Sequence, residues 1–191
     1  MSMKVVFLSP SYPPEMIDYT RGLAEVGAEV YCVGDTPREA LPPRVRPYLH
    51  DYLQVPRIMA EDDVMERVTQ WMRGRTVDRV LSNWEVLVIL AARLRERWGV
   101  PGMSVDAVNG FRDYQLMQER VKAAGLRVPK SKRVVTEKEV RAAAEEIGYP
   151  LILKPIAGAG SADTHKVTSD AELEAAMKAM RGVPEASCEE Y

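Results

Sequence analysis

The sequence predicts an α/β protein in two parts: a Rossmann-like parallel sheet over residues 1–105, then an α+β module over residues 106–191. Three observations predict it. In the first part, short apolar β-branched runs alternate with amphipathic stretches, the pattern of strands paired in parallel and covered by helices on both faces. Val100-Pro101-Gly102 and Asn109-Gly110 then interrupt the periodicity. Beyond them the order becomes strand, helix, strand, glycine-rich turn, strand, helix, strand.

The opening run Lys4 to Ser9 (KVVFLS) reads as a buried strand. After Pro13-Pro14, the apolar positions Met16, Ile17, Leu23, Ala24 and Val26 suit a helix closed by Gly27. Ala28 to Val33 (AEVYCV) is a second buried strand that stops at Gly34-Asp35, and Tyr52 to Val55 a short third. Next comes a helix with Val64, Val68, Trp71 and Met72 at i, i+4, i+7, i+8 spacing; Glu61, Asp62 and Asp63 open it and Arg73 and Arg75 close it, an order that complements the helix dipole. Asp78 to Ser82 supplies another strand before a helix from Trp84 to Trp98. The first strand leads into Ser-Pro-Ser-Tyr-Pro-Pro in place of a glycine-rich turn, and prolines remove backbone donors where a dinucleotide phosphate needs them. That argues against NAD or FAD in this part, and Trp84 and Trp98 read as helix core.

In the second part a break at Asn109-Gly110 precedes an amphipathic helix with Leu116, Val121 and Ala124 that ends at Gly125. Ser131 to Val135 is a strand, and Thr136 with Glu139 forms a capping box on a helix that ends at Gly148. Leu151 to Lys154 and Thr164 to Val167 make a hairpin around Ala157-Gly158-Ala159-Gly160-Ser161; Ser169 with Glu172 caps the next helix, and Ser187 to Tyr191 is a last strand.

Composition excludes several function classes. The chain of 191 residues is 46% apolar and 28% charged, as a soluble globular protein is, and its 26 basic against 28 acidic residues offer no field for gathering nucleic acid or an anionic membrane. Arg127, Lys130, Lys132 and Arg133 read as a solvated face, because nucleic-acid binding needs a broader patch with stacking aromatics. The apolar run before Pro10 is too short for a signal peptide and no stretch approaches a membrane span, so the expected location is the cytoplasm. Cys32 and Cys188 form neither a disulfide framework nor a zinc pattern, and His50 and His165 lack the neighbours of a metal or nucleophile site.

The chemistry concentrates at the hairpin. Lys154 on an otherwise apolar strand needs an anionic partner or must reach solvent. Gly158 and Gly160 let the backbone fold around a ligand and turn N–H groups toward phosphate oxygens, and Ser161 adds a hydroxyl donor. In this setting Arg112-Asp113 with Leu116-Met117 leading to Ala124-Gly125-Leu126-Arg127-Val128-Pro129, then Gly148-Tyr149-Pro150 through Lys154-Pro155 and its loop, then Glu189-Glu190-Tyr191, resemble in their order the ATP-grasp superfamily, in its biotin carboxylase and carbamoyl phosphate synthetase branch.

The resemblance implies a pre-ATP-grasp domain followed by the first subdomain of an ATP-grasp fold. It implies that Lys154 contacts nucleotide phosphates, that Gly158, Ala159, Gly160 and Ser161 close over them, and that Glu189, Glu190 and Tyr191 hold adenine. The cofactors implied are ATP and Mg2+, with the metal ligands expected in a second subdomain beyond Tyr191. The intact parent is expected to activate a small carboxylate as an acyl phosphate for attack by an amine or similar nucleophile, and this chain alone to be inactive. A homodimer through the N-terminal domain is a further implication. Tyr114 departs from the pattern, standing where members usually carry a lysine. Two other readings remain. Met3 to Glu15 also resembles the opening of two-domain glycosyltransferases, and a non-catalytic scaffold would keep the ATP-grasp fold without binding nucleotide.

Overall fold

The apolar run after Met3 becomes β1 (Lys4–Leu8) in a computed structural model that describes residues 2–191. It pairs in parallel with β2 (Glu29–Gly34) on one side and β4 (Arg79–Ser82) on the other, and β3 (Asp51–Gln54) extends the sheet beyond β2. Val5, Val6, Phe7 and Leu8 are all buried, as a strand covered on both faces requires. Val6, Leu8, Tyr31 and Val33 pack with Val64 and Val68 of α2 (Glu61–Trp71) and Leu90 and Leu94 of α3 (Val88–Trp98), whereas Phe7, Val30 and Cys32 on the alternate face meet Leu23 and Ala24 of α1 (Tyr19–Glu25). Trp84 and Trp98 pack against the first of these clusters, in keeping with a core role. Burial also pushes the Cys32 thiol well above its ordinary range.

Two local expectations are corrected. Arg73 and Arg75 lie past the end of α2, because the chain turns off the helix through Gly74 at φ +78°. Arg75 pairs instead with Asp51 at 3.2 Å and sits over the Tyr31 ring, while the acidic first turn of α2 is met by Arg93, 2.9 Å from Glu61 and 2.5 Å from Asp62. Asn109-Gly110 is not a break, since both residues lie inside α4 (Val105–Arg112). A Cβ at Gly110 would fall 2.4 Å from Nη1 of Arg120, so that side chain would have to shift to admit one.

The described residues divide into two compact units, 2–108 and 109–191. In the second, α5 (Tyr114–Ala123) leads into an antiparallel sheet of order β5-β8-β6-β7, built from β5 (Ser131–Val134), β6 (Leu151–Pro155), β7 (His165–Val167) and β8 (Ala186–Glu190). Leu151, Leu153, Val134, Val167 and Cys188 face α6 (Glu137–Ile147) and α7 (Asp170–Ala179) and bury Val140, Ala144, Leu173 and Met177 with them. Burial, with the Glu189 charge adding to it, pushes the Cys188 thiol up to about 11.

Thr136 and Glu139 form both halves of the capping box. At α7 only one half forms: Ser169 accepts from the Glu172 N–H, but the Glu172 carboxylate reaches one residue further back, to the N–H and hydroxyl of Thr168, each at 2.7 Å. No helix among the described residues is long and apolar enough to cross a membrane.

Candidate functional site

Side chains directly opposite one another on antiparallel strands share a face. The register pairs Ile152 with both Lys166 and Glu189, Lys154 with Ser187, and Ser131 with Glu189. These residues therefore lie on the face away from α6 and α7. Alternation explains why a polar cluster can be built on so apolar a strand as LILKP: Leu151 and Leu153 fill the core while Ile152 and Lys154 look the other way.

Lys154 finds its anionic partner on this face. Its Nζ is 2.5 Å from Oε1 of Glu189, with side-chain exposures of only 18% and 11%. The second carboxylate oxygen accepts from Nε2 of Gln118 at 3.0 Å and from the Ser187 hydroxyl at 3.5 Å. Gln118, itself buried, accepts from the Ser131 hydroxyl and so links α5, β5 and β8. The ammonium also stands 4.0 Å from the centre of the Tyr114 ring. The residue that departs from the resemblance thus touches the lysine that carries it, as a cation–π partner.

The loop between β6 and β7 supplies the second component. Gly160 adopts φ +61°, a conformation that favours glycine, and Ser161 and Asp163 take φ 59° and 53°. Ala162 N–H donates to Ala159 O at 3.2 Å and Thr164 N–H to Ser161 O at 3.3 Å, folding the tip into successive turns. Gly158 differs: a Cβ there would make only ordinary contacts within the chain, the nearest 3.7 Å from Pro155 O, so any need for glycine lies in what approaches from outside.

The root of the loop is held by the junction of α4 and α5. Arg112 Nη2 donates to Ala157 O at 2.8 Å, its Nη1 to Gly158 O at 2.9 Å, and Tyr114 N–H to Ile156 O at 3.1 Å. Asp113 between them caps α5 through the Leu116 N–H at 3.0 Å and pairs with Arg133. Partial burial raises the Asp113 carboxyl, but the Leu116 N–H and Arg133 outweigh it and hold it below its ordinary value.

The third component is the end of β8. Glu189 pairs with Ser131 on one side and Ile152 on the other, so its backbone lies within the sheet. Glu190 N–H donates to Lys130 O at 2.8 Å and Tyr191 N–H to Pro150 O at 3.3 Å. The Tyr191 ring is exposed and carries Lys166 Nζ 3.6 Å from its centre.

The predicted residues therefore fall into one connected group around Lys154 and Glu189, a loop root beside it, and a strand end at Glu190 and Tyr191. Sequence reading missed Gln118 and Lys166, which reach the group through α5 packing and strand register. It named Arg112 only as a motif letter. His165 is opposite Leu153, on the helix-covered face away from Lys154, which fits a packing residue; His50 packs beside Tyr31 in the first unit. Two of the four cations in the basic cluster are paired, Lys132 with Glu146 at 2.6 Å and Arg133 with Asp113 and Glu185.

Residues 113–189 match the family of the carbamoyl-phosphate synthase L chain, ATP binding domain. Among curated proteins, alanine–anticapsin ligase of Bacillus subtilis (strain 168) is 38% identical over 95 residues, 50% of this chain and 20% of that protein. An L-amino acid ligase from Bacillus licheniformis superimposes with a TM-score of 0.76 at 19% identity, over 100% of this chain and 44% of that one. The biotin carboxylase domain dimer of Hydrogenobacter thermophilus 2-oxoglutarate carboxylase, solved with MgADP, ADP and bicarbonate, gives 0.75 at 18%, over 100% and 45%. The matched half of the chain thus spans about a fifth of the length of the curated relatives it first matches. The architecture is the one these ligases share, and the resemblance carried by the three ordered elements is borne out.

Proposed function

We propose that this chain belongs to the ATP-grasp superfamily, is the front portion of a carboxylate ligase and holds one side of its ATP site. The observation that carries the reading is the Lys154–Glu189 pair on one face of the sheet, beside Tyr114, with the root of the turn-rich loop tied to the same Arg112–Tyr114 segment. Phosphoryl transfer asks a protein for positioned positive charge and fixed hydrogen-bond donors more than for covalent chemistry. An ammonium has three donors, and here one is engaged by Glu189 and another side of it is covered by Tyr114, so Lys154 can bind a phosphate oxygen without surrendering its partner.

In this reading the loop residues Gly158, Ala159, Gly160 and Ser161 supply N–H and hydroxyl donors to the phosphates. Glu189, Glu190 and Tyr191 flank the base beside Ile152. The bound nucleotide, with Mg2+, supplies the phosphoryl group that turns a carboxylate into an acyl phosphate open to an amine or similar nucleophile. The metal ligands, the carboxylate and the nucleophile belong to the whole ligase. By itself the chain binds nucleotide weakly and does not turn over.

Calorimetric titration of MgATP tests this, on this chain and on a longer form continued through the natural reading frame, each beside its Lys154→Ala variant. Micromolar binding only to the longer, unsubstituted protein supports the proposal. Absence of binding in both would replace it with the scaffold reading.

A further inference from the structure

We propose that Arg112 is a positioning residue for the glycine loop, holding two of its carbonyls so that the N–H groups that follow are presented to phosphate. The inference rests on the nucleotide reading above.

Three successive carbonyl oxygens, of Ile156, Ala157 and Gly158, are received by residues 112–114, two by Arg112 and one by the Tyr114 N–H. The guanidinium is nearly buried, with 8% of the residue exposed. Its planar fork suits two neighbouring acceptors at once, which an ammonium cannot match. In a planar trans peptide the carbonyl and the next N–H point in opposite directions. Fixing the oxygens of Ala157 and Gly158 on Arg112 therefore turns the N–H groups of Gly158 and Ala159 away from it. Beyond this point the loop relies on its own short turns, so Arg112 is the tether between the glycine segment and the helical framework.

The test uses the full chain with Arg112, Arg112→Lys and Arg112→Ala, the lysine variant keeping charge and bulk in case the alanine variant fails to fold. Amide hydrogen exchange is followed over residues 156–164 and over β6 and β8, and ADP and adenosine are titrated in parallel into the longer form carrying the same substitutions. Losing charge-assisted bonds to both carbonyls should speed loop exchange about tenfold and weaken ADP by about tenfold. Exchange in β6 and β8, and the affinity for adenosine, which has no phosphate, should stay near wild type. Wild-type loop exchange in Arg112→Lys overturns the proposal. So does faster loop exchange with unchanged ADP affinity, or an equal loss for ADP and adenosine, which marks a general structural role. If the longer wild-type form binds ADP no better than adenosine, the nucleotide reading fails, and the exchange data still decide whether Arg112 orders the loop.

Discussion

Replacing Lys154 by alanine should destabilise the second unit strongly, quite apart from any ligand. The ammonium lies 2.5 Å from Glu189, and the two side chains keep only 18% and 11% of their exposure. Removing it leaves a nearly buried carboxylate supported by two neutral donors, Gln118 at 3.0 Å and Ser187 at 3.5 Å. Breaking a fully buried pair from one side costs about 3–5 kcal/mol, and residual solvent contact with the remaining hydrogen bonds reduces that here to about 2–3 kcal/mol. Removing both charges at once, as in Lys154→Met with Glu189→Leu, should recover most of the loss, because well-packed apolar pairs replace buried ion pairs at little cost. All three tryptophans, at positions 71, 84 and 98, fall in the first unit, so their fluorescence does not follow the pair. Native-state hydrogen exchange on the β6 and β8 peptides does. A Lys154→Ala protein within about 0.5 kcal/mol of wild type, the range of an ordinary surface substitution, would refute the reasoning. A double variant no better than the single would refute it equally.

Two further outcomes follow from the loop and its root. Gly160→Ala places a Cβ at φ +61° and should cost about 1–2 kcal/mol locally, seen as faster loop exchange with β6 unchanged, whereas Gly158→Ala should leave the ligand-free loop intact. The folded Asp113 carboxyl is held below its ordinary 3.8, so its contribution to stability is fully present above that value and is lost as pH falls through the lower folded one. Asp113→Asn should flatten the acid limb of a stability–pH profile measured by urea titration, and an unchanged limb would remove Asp113 as its source.

Much of this fold was legible because local signals and burial agree. KVVFL reads as a doubly covered strand and is one, and Thr136 with Glu139 reads as a capping box and forms one. Misreadings occurred where a residue serves a distant neighbour. Asn109-Gly110 looks like a breaker, but Gly110 lies within a continuous helix, against the Arg120 side chain. The Glu172 side chain bonds to Thr168 rather than to the predicted cap, because Thr168 offers both an N–H and a hydroxyl. The demand of Lys154 for an anion was readable from one strand, but its partner was not. Naming Glu189 requires the order β5-β8-β6-β7, which brings together residues 35 positions apart in sequence, more than any helical or strand period can reveal.

The same pairing accounts for Tyr114. With Glu189 already satisfying Lys154, a second lysine at position 114 would place like charges close together in the ligand-free protein, an interaction of about 3 kcal/mol at roughly 5 Å and an effective dielectric constant near 20. An aromatic ring 4.0 Å from Nζ instead attracts the ammonium. Tyr114→Lys should therefore lower ligand-free stability by about 1–3 kcal/mol while strengthening ADP binding, since a phosphate between two cations relieves their repulsion. Tyr114→Phe, which keeps the ring face, should match wild type in both. Urea titration with and without ADP separates the effects. A Tyr114→Lys protein as stable as wild type without ligand would mean that the ring plays no part in holding Lys154, and unchanged ADP affinity in that variant would place the phosphates away from this face of the sheet.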